Sequence, residues 1–284
     1  FFFKHKTASE ILSGLVGSEM CIRDSYFYRG EVATLIADWM DANGGVMTRR
    51  DLATYRAKLR SPVVSTYREH TIVGFPPPSS GGTHVGQILN MMEEFPLSEY
   101  YRDSTTKYTH VVAEAMKLAY ADRSKYLGDP DFVDLPVRQL TSVDYAANLA
   151  AGIKMDSARP SEEIAPGDLT AYESPETTHY SVMDADGNAV VNTYTLMFSY
   201  GSGVVIDGAG FLMNNNMGNF TLRPDIPDAF GLMGSVDNQI TAGRRPVSSM
   251  TPIIVLRDGV PYLLTGSPGG SRIITTNLQL RVNV

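Results

Sequence analysis

The chain has 284 residues, 43% of them hydrophobic and 19% charged, which is enough apolar material for a sizeable core arranged as one or two domains. Its formal net charge of -7, without any run of Lys and Arg, excludes an electrostatic binder of nucleic acid, which needs clustered cations against phosphate. No segment approaches the ~20 consecutive apolar residues of a membrane helix, so a soluble protein with a small-molecule or peptide substrate is expected.

The first 25 residues stand apart. LVGSEMCIRDS, from Leu15 to Ser25, resembles the translated sequence of a sequencing adaptor, and the opening lacks the ordered basic, apolar and small-residue regions of a signal peptide. Residues 1–25 are therefore set aside as an expected artefact. Cys21 is the only cysteine and falls inside that segment, so neither disulfides nor thiol catalysis are expected.

From Glu31 to Asn43 the apolar residues Val32, Leu35, Ile36, Trp39 and Met40 recur at helical spacing, and Gly44-Gly45 stop the helix. Thr48 with Asp51 three residues on predicts a capping box and a second short helix. VVSTYREHTIVGF reads as two strands around a polar turn. PPPSSGGTH, Pro76 to His84, is a constrained connection into the apolar helix VGQILNMMEEF; an anion-binding loop is the alternative reading. Ser104 or Thr105 caps a long helix that Gly128 ends, and the segment from Asp156 to Glu176 reads as an exposed linker rich in Pro, Ser, Gly and acidic residues. HYSVMDADGNAVVNTYTLM then predicts a hairpin with a tight turn at Asp186-Gly187, and PIIVLRDGVPYLLTG a second one at Asp258-Gly259. GSPGGSRIITTNLQLRV turns on glycines into a helix beginning near Ser271. Helices followed by hairpins predict an α+β layered fold with antiparallel sheets.

Three places carry potential chemistry. Thr177-Thr178-His179 opens a strand after the linker; most such pairs are merely strand formers, but a chain break before Thr177 would give its hydroxyl a free α-amine as built-in base. Such an amine titrates near neutrality, at roughly pKa 8, where a Lys does not. Gly269-Gly270 before a helix start offers unobstructed N–H groups at the positive end of the helix dipole, an oxyanion hole or simply a tight turn. Ser248-Ser249 in RRPVSSMTP either bond a substrate carboxylate or satisfy nearby backbone. His84, His110 and His179 have no metal-ligand spacing, and neither a metal nor any other cofactor is expected.

TTHYSVMDADGNAVVNTYTL, NNNMGNF, RRPVSSMTP and TGSPGGSRIITT, preceded by NGGVMTRRDLATY, PPPSSGGTH and AEAMKLAYADRSKYLGDPDF, resemble the γ-glutamyltranspeptidase family in order and spacing over about residues 26–284. The resemblance implies an N-terminal nucleophile hydrolase with an αββα sandwich, incomplete here at both ends. It also implies a heterodimer made by autocatalytic cleavage at Glu176–Thr177, with residues 26–176 from the large-subunit region and 177–284 from the small, intertwined in one domain. By the same resemblance Thr177 is the nucleophile, Thr195 its hydrogen-bonding partner, Gly269 and Gly270 the oxyanion hole, and Ser248 and Ser249 the holders of the substrate α-carboxylate. The implied donor is glutathione or another γ-glutamyl amide, the acceptor an amino acid, peptide or water, and the location periplasmic or secreted. The family arginine for the α-carboxylate would lie upstream of this chain and the last strands of the family downstream, so apolar surface left uncovered by the final helix is expected.

Four positions depart from the family pattern. Asn219 replaces an Asp that pairs with the substrate ammonium, Asn216 a Gln, Met197 an Asn, and Phe230, at the lid position, a Tyr. Losing the charge partner of a buried ammonium costs roughly 2–5 kcal/mol, so weaker selection for the α-amine and acceptance of glutaryl amides are expected. A glutaryl or cephalosporin acylase with the same nucleophile is the nearest rival reading, and a non-catalytic homologue the rival from another class.

Overall fold

The computed structural model describes residues 2–3, 25–164, 177–224, 226–227 and 232–282. They fall into two compact units, one of Phe1–Phe3, Ser61–Ser199 and Asn216–Val284, the other of Lys4–Arg60 and Tyr200–Asn215. Each unit draws chain from both sides of the Glu176–Thr177 bond.

In the larger unit, two antiparallel sheets and a helical layer share the core. Strands β2 (Val63–Tyr67), β3 (His70–Gly74), β6 (Ile253–Arg257) and β7 (Val260–Thr265) form a four-stranded sheet in that order. Strands β4 (Thr178–Met183) and β5 (Ala189–Tyr194) form the other, with β1 (Phe2–Phe3), from the segment set aside as adaptor, paired to Ala189 and Val190. The period-2 alternation of a strand separates the two cores. Ile253 and Val255 of β6 point into a cluster with the helices, while Ile254 and Leu256 meet Val73, Ala189 and Val191 between the sheets. A strand buried on both faces reads as a continuous apolar run, which is why IIVL lacks any alternation.

The helical layer comprises α3 (Gly81–Glu93), α4 (Leu97–Asp103), α5 (Thr105–Tyr126), α6 (Val137–Leu140), α7 (Val143–Ala150) and α8 (Arg272–Val282). Helix α3 is buried from Gly81 to Met92 and is the centre of this layer. Its start needs glycine: a Cβ on Gly81 would stand 2.3 Å from Thr251 Oγ1, and one on Gly82 2.5 Å from the Phe75 carbonyl. The side chain of Ser104 caps α5 by accepting from Lys107 N. Helix α8 buries Ile273, Ile274 and Leu278, with burial after residue 279 outside the described residues; Tyr180, Val182 and Met183 on β4 are among the exposed apolar side chains.

The two predicted turns differ in kind. Asp258 and Gly259 both have positive φ, 53° and 77°, the two-residue turn that Asp-Gly favours. Between paired Met183 and Ala189, however, a longer loop is organised by Asp184, whose carboxylate accepts from Asp186 N and Asn188 N, and only Gly187 has positive φ. An Asp that bonds its own downstream backbone competes with the tight turn.

The smaller unit contains α1 (Glu31–Ala42) and α2 (Arg49–Thr54). Thr48 and Asp51 form the expected capping box, and Val32, Ala33 and Ile36 pack on Leu52, Ile206 and Met213. Among the described residues no helix is long and apolar enough to cross a membrane.

Candidate active site

The register of the β4–β5 hairpin brings the two threonines together. Thr178 pairs with Tyr194, so Thr177, just before β4, lies beside Thr195, just after β5. Thr177 Oγ1 is 3.4 Å from Thr195 Oγ1, which also accepts from Met197 N at 2.8 Å. That second bond curls the chain after β5 and holds Met197, only 3% exposed, at φ 78°. A left-handed conformation costs a non-glycine residue roughly 1–2 kcal/mol and, beside a cavity, is the kind of strain that marks functional positions. Asn216 Nδ2 donates to the Thr195 carbonyl at 3.4 Å, and Asn219 Nδ2 to Asn216 Oδ1 at 3.4 Å, both within one 3₁₀ turn, Asn216–Asn219.

The serine pair is held from the opposite side by the Pro-Ser-Gly connection. The Ser248 carbonyl accepts from Ser80 N at 2.8 Å and from Ser80 Oγ at 2.9 Å, and Ser248 N donates to the Pro78 carbonyl at 3.0 Å. Ser79 Oγ adds a very short bond to the Met250 carbonyl. Ser79 and Ser80 are buried, so their hydroxyls bond protein where water cannot reach. The PPPSSGGTH loop is therefore a structural clamp in this chain, with its two serine hydroxyls bonded to carbonyls of the 248–250 segment.

The glycine turn spans the gap between β7 and α8. Gly269 and Gly270 take φ of 127° and 54°, conformations open to glycine and strained for any other residue. Among the described residues neither amide N–H donates a hydrogen bond. The turn is pinned at both ends: Thr265 Oγ1 donates to Asn277 Oδ1 at 2.8 Å, and Tyr120 OH to the Ser271 carbonyl at 2.6 Å.

These three segments enclose one small cavity of about 30 Å³. Thr177, Thr195, Met197, Asn219, Ser248, Ser249 and Gly270 line it, while Asn216 supports Asn219 and Thr195 from behind and Gly269 precedes Gly270 in the turn. Glu176 and Phe230 lie outside the described residues. No group of His, Cys, Asp and Glu that could hold a metal occurs among the described residues.

Comparison with known proteins converges on one family. The family model described as gamma-glutamyltranspeptidase matches residues 7–284. The chain belongs to the γ-glutamyltranspeptidase family. It is 51% identical over 257 residues to the glutathione hydrolase proenzyme of Escherichia coli strain K12, covering 90% of this chain and 44% of that protein. It is also 38% identical to the acylase ACY 1 proenzyme of Pseudomonas sp. strain SE83, covering 90% of this chain and 43% of that one. The crystal structure of cephalosporin acylase from Bacillus halodurans superposes with a TM-score of 0.73 at 29% identity, over 91% of this chain and 44% of the other. The chain thus spans under half the length of the relatives it matches.

Within this γ-glutamyltranspeptidase-family cavity the electrostatics depart from neutrality in one direction. Arg123 is the charged side chain among the described lining residues, and no carboxylate is among them. It reaches the cavity from α5 and donates from Nε to Ser80 Oγ at 3.3 Å. The same buried cluster keeps nearby groups uncharged. Burial, then the Arg123 charge, pushes His84 down to about 3, and burial pushes Tyr120 up to about 12. His179, two residues after Thr177, is lowered by burial and bonds Thr193 Oγ1 at 2.8 Å through Nδ1. Its ring fills the space over Gly266, where a Cβ would come within 1.9 Å of it.

Sequence reasoning passed over Arg123, though a signal existed. Val111, Ala115 and Ala119 form the buried i, i+4 ridge of α5, and Arg123 is its next member. An arginine continuing an apolar ridge must find polar company indoors. Met250, Leu232 and Ile273, which complete the lining, had no comparable mark.

Proposed function

We propose that the complete protein is an amidohydrolase and transpeptidase of γ-glutamyl compounds such as glutathione, working through Thr177 after self-cleavage at Glu176–Thr177. The observation that carries this reading is the 3.4 Å approach of the Thr177 and Thr195 hydroxyls in a cavity that also holds Ser248, Ser249 and Gly270. In the cut protein the Thr177 α-amine takes the proton from Oγ1 as the oxygen attacks the γ-carbonyl carbon. Thr195 orients that hydroxyl, and the amides of Gly269 and Gly270 receive the developing oxyanion at the start of α8. The C–N bond breaks, the amine leaves with the proton, and an ester on Thr177 remains. Water or an amino group of an amino acid or peptide then attacks the ester, giving hydrolysis or transfer. Ser248 and Ser249 hold the donor carboxylate. The two cleavage products stay together as a heterodimer, which is supported by the interleaving of both segments in each unit. Export to the periplasm or medium follows from the family alone.

A second reading, a glutaryl-type acylase on the same nucleophile, is favoured by one observation. Asn219 is neutral and there is no carboxylate among the described lining residues, so a donor ammonium finds no counter-charge there. Kinetics of the complete protein on γ-glutamyl and glutaryl anilides separates the readings. Higher kcat/KM for the γ-glutamyl anilide supports the first, turnover of the glutaryl anilide alone supports the second, and an uncut chain inert on both supports a non-catalytic homologue. Asn219→Asp is expected to raise the γ-glutamyl to glutaryl ratio by about 30-fold or more, the kinetic equivalent of restoring a buried charge pair.

A further inference from the structure

Asn238 lies in a 3₁₀ turn (Val236–Asn238) that touches none of the reacting groups, yet its side chain is fully engaged and only 6% exposed. Its Nδ2 donates to the Asn219 carbonyl at 2.9 Å and to Thr221 Oγ1 at 3.3 Å, while its Oδ1 accepts from Val247 N at 2.8 Å. Its own carbonyl accepts from Thr221 N at 2.9 Å. The orientation of the amide is fixed by its neighbours, because Val247 N–H needs an acceptor and the Asn219 carbonyl needs a donor. One side chain thereby spans the two segments that carry the polar ends of the cavity: Asn219 on one, and Ser248, the residue after Val247, on the other.

We propose that Asn238 is a positioning residue that locks the Asn219 segment and the Ser248-Ser249 segment into one rigid donor-binding unit. This rests on the function proposed above. The chemistry requires an amide. Asp keeps the acceptor for Val247 but offers no donor to the Asn219 carbonyl, and an apolar residue leaves a buried carbonyl, hydroxyl and amide unpaired. The bonds to Asn238 are made to the Asn219 and Val247 segments, and Asn219 is joined to the Thr195 carbonyl by two long bonds through Asn216, so loss of the amide is read first in donor binding and far less in the chemical step.

The test uses the complete protein with Asn238→Ala and the isosteric Asn238→Asp, the latter covering the case in which the former does not fold. Both variants are expected to cut themselves at Thr177, to keep kcat on γ-glutamyl anilide within about 3-fold, and to raise KM by about 10-fold, the scale of one lost buried hydrogen bond. Hydrogen–deuterium exchange, which needs no turnover, is expected to accelerate together in residues 216–222 and 245–250. A KM unchanged within two-fold in a folded, cut variant overturns the proposal, as does a kcat that falls with unchanged KM. Faster exchange in only one of the two segments also overturns it. If the wild type turns over neither donor, the functional reading fails, and the exchange result still decides whether Asn238 couples the segments.

Discussion

The two sides of the cavity are built differently. The Ser248 side is held by buried bonds from Ser79, Ser80, Pro78 and Asn238, reaching across up to 171 residues of sequence. The Thr177 side is part of a hairpin whose first strand exposes Tyr180, Val182 and Met183, and Thr177 Oγ1 approaches Thr195 Oγ1 at 3.4 Å. The Ser248 side is thus fixed by tertiary packing, whereas Thr177, the proposed nucleophile, is brought to Thr195 by the register of the hairpin, with Asn216 bonding the Thr195 carbonyl. A dense polar clamp is preorganised and costly to disturb; the Thr177 side, set by the register of a hairpin, is where the proposed self-cleavage would liberate an α-amine.

Acid breaks this comparison most strongly. His84, in the first turn of α3, donates from Nδ1 to the Ser80 carbonyl at 2.9 Å and is held neutral by burial, with its pKa moved from 6.5 to about 3. The unfolded chain takes up a proton below 6.5 that the folded chain refuses, so the stability His84 contributes is complete above 6.5 and is lost as pH falls toward about 3. The slope is at most about 1.4 kcal/mol per pH unit, or about 3 kcal/mol by pH 4. Urea unfolding of wild type and His84→Gln at pH 7 and pH 4 reads it. The variant is expected to show the shallower pH dependence, and equal slopes would remove His84 from the clamp's energetics.

On the opposite side, Thr195→Ala removes both the partner of Thr177 and the acceptor for Met197 N. A loss of about 100-fold in kcat is expected, with KM changed far less, because the donor is held elsewhere. Steady-state kinetics checks the split, and a variant impaired only in KM would place Thr195 with the binding groups.

The smallest effect is expected from Ser80→Ala, which removes the hydroxyl bonded to the Ser248 carbonyl and Arg123 Nε but leaves the backbone N–H at position 80 to serve the Ser248 carbonyl. Thermal unfolding should show a loss of about 1 kcal/mol, with self-cleavage intact and KM modestly raised. A variant that fails to cut itself would show that the clamp also governs the nucleophile, and the distinction between the two sides would fall.

What was legible in the sequence follows the same divide. Local chemistry was readable: Thr48 with Asp51 made its capping box, and Asp258-Gly259 its two-residue turn. The longer loop at 184–188 was not, because Asp184 overrides the Asp-Gly signal with its own backbone bonds. Thr177, Thr195, Ser248, Ser249 and Gly270 line one cavity, although residue chemistry alone favoured a strand former, a backbone-satisfying pair and a plain turn. The clamp was illegible for a physical reason. Ser80 and Arg123 act through partners 168 and 43 residues away, Asn238 bridges two other loops, and an isolated polar residue in a loop or on a helix gives no sign of what it will meet indoors.

The most direct measurement is intact mass, with a denaturing gel, of the complete protein and of its Thr177→Ala variant. Two fragments separated at Glu176–Thr177 in the wild type and one uncut chain in the variant are the expected result. A folded wild type that stays whole would deny Thr177 its α-amine and contradict the proposed mechanism at its first step.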